Sequence, residues 1–403
     1  MRKMIVSFSF ENFRSYKNET LFDFQAANIP EHEETIIQRA HVSSLLPVNV
    51  IYGPNGGGKS GVLMAFSCLI SYVVEPIVKL EKNRKNAYLQ SVKCQPFLFD
   101  EVSKNQPTAF DLFFRTETNE FRYYFSVCDD VVVDECLYKK TFASKKAATI
   151  FERNYNTVEL GASIRSKSIN TEVNPKMPYL SFLAINYNIP IISEVQEWFE
   201  SCVIVNYANP LSEKRVFVLS DNDEKITVVK LMNEMGVDIS DYRFDEENRK
   251  LFLERTIGSE RYELDYYYES EGTKKLFAIL PLIILALREG RLLIADELDA
   301  KLHPKLLKHV ISLFNNPEIN KHGAQLLFTS HDMTTMNRFV LRRDEIWFAA
   351  LNDNHESEIY SLYDFRTEEG THVSNTVSYS KQYLEGKYGA DPYLNQIMQW
   401  EEK

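Results

Sequence analysis

Gly53-Pro54-Asn55-Gly56-Gly57-Gly58-Lys59-Ser60 is the stretch whose reading decides the fold. The apolar run 48–52 precedes it and reads as a buried strand, and residues 61–66 after it begin a helical pattern. Strand, glycine-rich loop, Lys-Ser and helix make the spacing G-x-x-x-x-G-K-[ST] of a phosphate-binding loop. The chemistry needs these residue types. Glycines let successive backbone N–H groups converge on phosphate oxygens without a Cβ in the way. The helix N-terminus adds partial positive charge. Lys59 can reach the β- and γ-phosphates and the Ser60 hydroxyl can bind Mg²⁺. Asn55, Gly56, Gly57, Gly58, Lys59, Ser60 and Gly61 are therefore the candidate contacts to ATP.

A phosphate loop needs a second half. Residues 292–295 are apolar and read as a buried strand with Asp296-Glu297 at its carboxyl end. In open α/β sheets ligands bind at that end. Asp296 there would complete the Mg²⁺ shell, and Glu297 would polarise the attacking water. A solvated acidic turn is the alternative for the pair taken alone. Phe328-Thr329-Ser330-His331-Asp332 places a histidine just past another strand, where it could meet a γ-phosphate or the water, although a lone histidine is more often structural. Ser270-Glu271-Gly272-Thr273 could offer a hydroxyl and backbone N–H groups to an anion, or could simply cap a helix.

The chain has 403 residues and 44% are hydrophobic, so two or three lobes with a large core are expected. The net charge of -11, from 46 basic and 57 acidic residues, argues against a surface coated in phosphate contacts. Nucleic acid is thus not indicated by charge; residues 79–85 and 139–146 are the best basic candidates, and such runs are usually solvated faces. Asp221-Asn222-Asp223 has the look of an acidic metal pair set in a polar turn. Cys68, Cys94, Cys128, Cys136 and Cys202 are an odd, scattered set without a C-x-x-C pair. They suggest neither a zinc site nor a disulfide framework, and point to a reducing cytoplasm. The longest apolar run, 276–287, contains Pro281 and falls short of the roughly 20 residues a bilayer takes, so no membrane span is expected.

Along the chain, residues 4–10 alternate as a strand and 20–24 follow as a second. A helix runs from the loop to about residue 78. Aromatic, alternating stretches at 96–99, 109–115, 121–127 and 131–138 read as an antiparallel meander. Residues 160–178 read as a long loop, 180–205 as helical, 224–235 as a helix closed near Gly236, and Gly258-Ser259 as the turn of a hairpin. After that come a helix at 273–288, strands at 291–295, 325–329 and 345–349, and helices at 304–314 and from 332. No sustained heptad lies between the loop and residue 270, so no long coiled-coil arm is expected. Three regions follow: an N-terminal ATPase lobe with an antiparallel β subdomain over 1–145, a mainly helical insertion over 146–255, and a C-terminal ATPase lobe over 256–403.

These motifs in this order resemble an ABC-type ATPase head of the group that includes the SMC, Rad50, RecF and OLD proteins. The residues that carry the resemblance are Asn12-Phe13-Arg14-Ser15-Tyr16, the loop 53–60, Ser270 to Thr273 as signature, Asp296-Glu297, Leu298-Asp299 as D-loop, and His331. More narrowly, residues 269–275, Leu302-His303-Pro304 and 383–389 are similar to the AAA15 (RloA-like) ATPases of bacteria. The resemblance implies an α/β, ABC-type P-loop ATPase head with an antiparallel β subdomain and a helical insertion. It implies closure of a homodimer, or higher oligomer, over two ATP molecules. Ser270 and Gly272 of one subunit would then meet the γ-phosphate held by Lys59 of the other, and Asp299 is a further candidate contact to the nucleotide. Arg14 would lie near the nucleotide, and Gln95 would be the Mg²⁺-contacting glutamine. Lys59, Glu297 and His331 would form the catalytic set. Glu271 stands where related heads have a glycine, and an extra carboxylate there would repel a γ-phosphate unless it points away.

Nothing in the sequence looks like a nuclease. The resulting expectation is a cytoplasmic ATPase switch for a separately encoded effector, a nuclease or toxin, in bacterial anti-phage defence or abortive infection. A RecF- or Rad50-like DNA-binding ATPase in repair or maintenance is the alternative, and an ABC transporter subunit ranks last.

Overall fold

A computed structural model describes residues 3–80, 93–165, 168–206, 222–245, 247–248, 250–367 and 370–390. Residues 81–85 of one basic run, and Asp221 with the side chains of Asn222 and Asp223, lie outside the described residues.

Two large sheets clasp one helix. The antiparallel sheet is built from β1 (Met4–Glu11), β2 (Thr20–Asp23), β4 (Thr108–Arg115), β5 (Asn119–Cys128), β6 (Val131–Thr141), β7 (Ala148–Asn154) and β8 (Thr157–Leu160), in the order β2-β1-β4-β5-β6-β7-β8. The second sheet contains β3 (Val48–Tyr52), β9 (Val203–Asn206), β13 (Leu292–Asp296), β14 (Gln325–Thr329), β15 (Ile346–Leu351) and β16 (Ser357–Ser361), in the order β16-β15-β3-β14-β13-β9. Its strands run parallel except β16, the antiparallel edge. A small antiparallel sheet, β10 (Asp241–Asp245), β11 (Lys250–Ile257) and β12 (Glu260–Asp265), stands apart from both.

Strand periodicity sorts the side chains. Val48, Val50 and Tyr52 of β3 face a core shared with α5 (Glu271–Glu289) and α6 (Pro304–Asn315). Ile51, on the opposite face, joins Ile294 and Leu327 against α1 (Lys59–Leu80). The other side of α1 meets the antiparallel sheet, where the Phe66 and Phe8 rings stack with centroids 3.9 Å apart. Helix α1 is long and apolar enough to cross a membrane by length and composition, but 67% of its most apolar window is buried between the two sheets. Its enclosure on both sides explains why it is apolar almost all round. A buried glutamine fastens the sheets at one edge: Gln325 accepts from the Ile5 N–H at 2.7 Å and donates to the carbonyls of Ile5 and Leu46.

Residues 146–255 carry β7 to β11 beside α2 (Tyr179–Asn186), α3 (Pro190–Ser201) and α4 (Asn222–Glu234), so they hold more strand than the helical reading expected. The meander continues past residue 145 as β7 and β8. The helical stretch at 180–205 divides at Pro190, which takes the first position of α3 and leaves Ile189 extended. Val203-Ile204-Val205 then prefers the sheet, pairing in parallel with β13. Residues 96–99 form no strand, and no helix starts at 332: the Asp332 and Asn337 side chains bond backbone N–H groups two residues on, which holds turns instead. Among the described residues, the longest helix between α1 and α5 is α4, with 13 residues, too short for an arm.

The antiparallel sheet also organises α2. The N-cap position of this helix is Pro178, which offers no side-chain cap. The Glu135 carboxylate on β6 takes over, accepting from the N–H groups of Tyr179 at 2.5 Å and Leu180 at 2.8 Å. It also accepts from the Tyr123 hydroxyl at 2.9 Å and lies 3.6 Å from the buried Arg153 guanidinium. Glu135→Ala would strand a buried cation and two helix-end donors. It is expected to destabilise the chain by about 3–5 kcal/mol, read as a lower midpoint in urea unfolding.

Candidate nucleotide site

The phosphate loop is moulded by its neighbours. Gly53, with φ of +147°, lies so close to the Ala349 carbonyl oxygen on β15 that a Cβ would stand 2.2 Å from it. At Gly57 the same oxygen would be 2.6 Å away. Gly58, with φ of +106°, faces Ser357 Oγ and the Tyr16 hydroxyl, which would stand 2.5 and 2.9 Å from a Cβ. Tyr16 donates to the Gly58 carbonyl at 3.1 Å, and Ser15 bonds Ser357 through both backbone and hydroxyl. The turn Asn12–Tyr16 is thus a buttress for the loop. Its Arg14 has φ of +54°, and the Arg14 N–H donates to the Gln95 carbonyl at 2.8 Å. The Arg14 Nε is buried with no hydrogen-bond partner among the described residues. Gln95 is exposed, and among the described residues no hydrogen bond joins its side chain to Ser60 or Asp296.

Lys59 opens α1 and is nearly buried. Its ammonium donates to the loop's own carbonyls, Gly53 at 2.8 Å and Pro54 at 3.0 Å. Burial lowers its pKa, opposed by the carboxylates of Asp296, Glu297 and Asp299. These acceptors hold the ammonium where phosphate oxygens would replace them.

Asp296 ends β13, next to β14 and one strand further from β3. One oxygen, Oδ1, accepts from Ser60 Oγ at 3.0 Å and from Thr329 Oγ1 at 2.6 Å. Thr329 Oγ1 in turn accepts from the Glu297 N–H at 2.7 Å. A carboxylate and a hydroxyl so close are a hard-oxygen pair of the kind that holds Mg²⁺ with substrate phosphates and water. Among the described residues, no group of three or more His, Cys, Asp or Glu side chains could hold a metal by itself, so a metal here would draw its remaining ligands from the nucleotide and water.

Glu297 has φ of +52°. Its carbonyl accepts from the Lys275 ammonium at 2.9 Å. Lys275 is completely buried. Burial pulls its pKa down to about 8, against the pull of the Asp299 and Glu297 carboxylates, while Lys301 lowers it further. Asp299 Oδ2 accepts from the His331 N–H at 3.0 Å, which joins the D-loop to the end of β14.

Ser270 caps α5, accepting from the Thr273 N–H at 3.1 Å, and its hydroxyl also meets Thr273 Oγ1 at 2.9 Å. Glu271 pairs with Lys301 at 3.0 Å and Lys274 at 3.1 Å, and these two ammoniums hold its carboxyl below the usual range. Among the described residues of one chain, no hydrogen bond brings Ser270 or Gly272 to Lys59 or Ser60. Thr329, Ser357 and Lys275 are not among the site residues named from the sequence, although Thr329 and Lys275 lie in stretches quoted there. Thr329 had a usable signal, a hydroxyl ending an apolar strand. Ser357 and Lys275 had none, since their roles come from tertiary contact.

A family model described as "AAA domain, putative AbiEii toxin, Type IV TA system" matches residues 48–337. The chain belongs to this family. It is a P-loop ATPase domain of mixed α/β architecture with antiparallel sheets. Among solved structures it is similar to an Smc head bound to the C-winged helix domain of ScpA, at 12% identity and TM-score 0.46, covering 89% of this chain and 97% of that one. An Smc head with a coiled coil and joint from Pyrococcus yayanosii gives 10% and 0.48, over 95% and 99%. An Smc head with an extended coiled coil bound to the C-terminal domain of ScpA, from Pyrococcus furiosus, gives 13% and 0.43, over 89% and 96%. No curated protein matches.

The loop's mould gives a direct test. Gly58→Ala should weaken binding of a fluorescent ATP analogue at least tenfold. Gly236→Ala, at a φ of +80° with open space around it, should leave binding within twofold.

Proposed function

We propose that the chain binds Mg²⁺-ATP at this site, hydrolyses it as a homodimer closed over two nucleotides, and thereby switches a separately encoded effector. The observation that carries the reading is the meeting of Ser60 and Asp296 at 3.0 Å, with Glu297 next in the chain. In this reading Lys59 and the N–H groups of residues 55–61 bind the phosphates. Ser60 and Asp296 hold Mg²⁺, which supplies charge neutralisation on the phosphates. Glu297 takes the proton of the attacking water, and His331, anchored through Asp299, faces the γ-phosphate. Ser270 and Gly272, unconnected to the chain's own loop, serve the nucleotide of a second copy. Arg14, in the turn whose Ser15 and Tyr16 brace the loop, would lie near the nucleotide.

A role in anti-phage defence or abortive infection draws support from the family description, which names a toxin and a type IV toxin–antitoxin system. Five free cysteines fit a reducing cytoplasm. The subgroup assignment, AAA15 (RloA-like), rests on residues 269–275, Leu302-His303-Pro304 and 383–389.

Two variants test the site. Lys59→Ala should abolish ATP binding. Glu297→Gln should bind ATP normally, lose at least about 100-fold in kcat, and accumulate as an ATP-dependent dimer in light scattering. Wild-type turnover in Glu297→Gln would remove that residue from the catalytic role. Salt-sensitive, ATP-dependent binding of duplex DNA would favour the alternative, a DNA-maintenance ATPase.

A further inference from the structure

Lys275 is a fully enclosed lysine that the scheme above does not use. Enclosing an ammonium is costly unless strong acceptors meet it. One acceptor here is a main-chain oxygen, the Glu297 carbonyl at 2.9 Å. The Glu297 residue is therefore gripped on both sides: its N–H by Thr329 Oγ1 and its carbonyl by Lys275. The grip has a reason. Glu297 sits at φ of +52°, a conformation that is strained for a non-glycine residue and persists only when its surroundings hold it. The backbone of that turn sets the direction in which the Glu297 side chain leaves it.

Lys275 also belongs to α5, the helix that Ser270 caps. It stands five residues beyond that cap, within the second turn of a rigid element. The end of α5 that would meet a partner's nucleotide is thus tied by this side chain to the main chain of the residue whose carboxylate would polarise water.

We propose that Lys275 is a positioning residue for ATP hydrolysis, clamping the Glu297 turn and linking the signature end of α5 to the hydrolytic half of the same subunit. The inference rests on the reading of Glu297 given above. It separates Lys275 from Lys59: one binds phosphate, the other holds the residue that acts on water. Loss of Lys275 should then damage the chemical step and spare nucleotide binding.

The test uses the full chain. Lys275→Met keeps the apolar stem and removes the donor. It should lower kcat at least tenfold, with KM for ATP and the affinity for a fluorescent ATP analogue within threefold of wild type. In a Glu297→Gln background, Lys275→Met should cost nothing further, because the carboxylate it orients is gone. Wild-type kcat in Lys275→Met overturns the inference. So does a fall in ATP affinity that matches the fall in kcat, or a loss that adds in full to that of Glu297→Gln. Where Lys275→Met fails to fold by circular dichroism, Lys275→Gln, shorter and polar, takes its place, and the same outcomes support or overturn the inference. Full turnover in Glu297→Gln removes the underlying reading. Full turnover in Lys275→Met, with Glu297→Gln inactive, removes the Lys275 inference alone.

Discussion

One carboxylate oxygen holds the site together. Asp296 Oδ1 accepts from Ser60 at the start of α1 and from Thr329 at the end of β14, while its own residue ends β13. Three segments far apart in sequence are thereby fixed to one atom. A parallel sheet makes this meeting possible, because all its strands present their carboxyl ends on the same side. The register of β13 with β14 places Ala295 against Phe328, so Asp296 and Thr329 emerge as neighbours. A slip of one residue would send Asp296 to the other face and leave Ser60 without its acceptor.

The loop that Asp296 serves is shaped from behind. The Ala349 carbonyl presses on Gly53 and Gly57, while Ser357 and Tyr16 crowd Gly58. These neighbours come from the hairpin β15–β16 and from the turn after β1, opposite ends of the chain. Their contacts with each other, Ser15 to Ser357, close the mould. Glycine at these positions is therefore demanded twice, by backbone angle at Gly53 and Gly58 and by space at all three. The antiparallel sheet contributes at a distance: by covering α1 it fixes the axis along which the helix N-terminus points at the site.

Much of this was legible in the sequence because the signals are local. The loop, the apolar strand ending in Asp296-Glu297 and the strand before His331 each carry their meaning within eight residues. The meander was legible from alternation, although β7, which buries Ile150 and Phe151, and the four-residue β8 extend it beyond the expected edge. What was not legible depends on long-range contact. Residues 203–206 pass for the end of a helix until β13 gives them a parallel partner. Asn12–Tyr16 could be matched by resemblance, but that Tyr16 rests on Gly58 follows only from the fold. Lys275 entered only as the last residue of the stretch 269–275 that carries the narrower resemblance, and its enclosure against the Glu297 turn has no one-dimensional trace.

The signature region poses the sharpest electrostatic question, since Glu271 places a carboxylate at the end of the helix that, in the proposed dimer, would meet a phosphate. The charge is not bare. Lys274, three residues on, and Lys301, from the turn after Asp299, both hold it. The helix N-terminus favours an anion at this position as well. With two ammoniums matched to one carboxylate, an arriving phosphate would meet a cluster of net positive sign. That balance is conditional. Lys301 has φ of +61° and belongs to the turn that begins at Glu297. If the turn shifts, Lys301 leaves, Lys274 alone offsets Glu271, and the cluster falls from net positive to neutral. The geometry of the turn 297–301 thus bears both on the direction of Glu297 and on whether the end of α5 is positive or neutral toward a second copy in the proposed dimer. In the proposed dimer, hydrolysis in one half of the site and attraction in the other would depend on the same few peptide bonds.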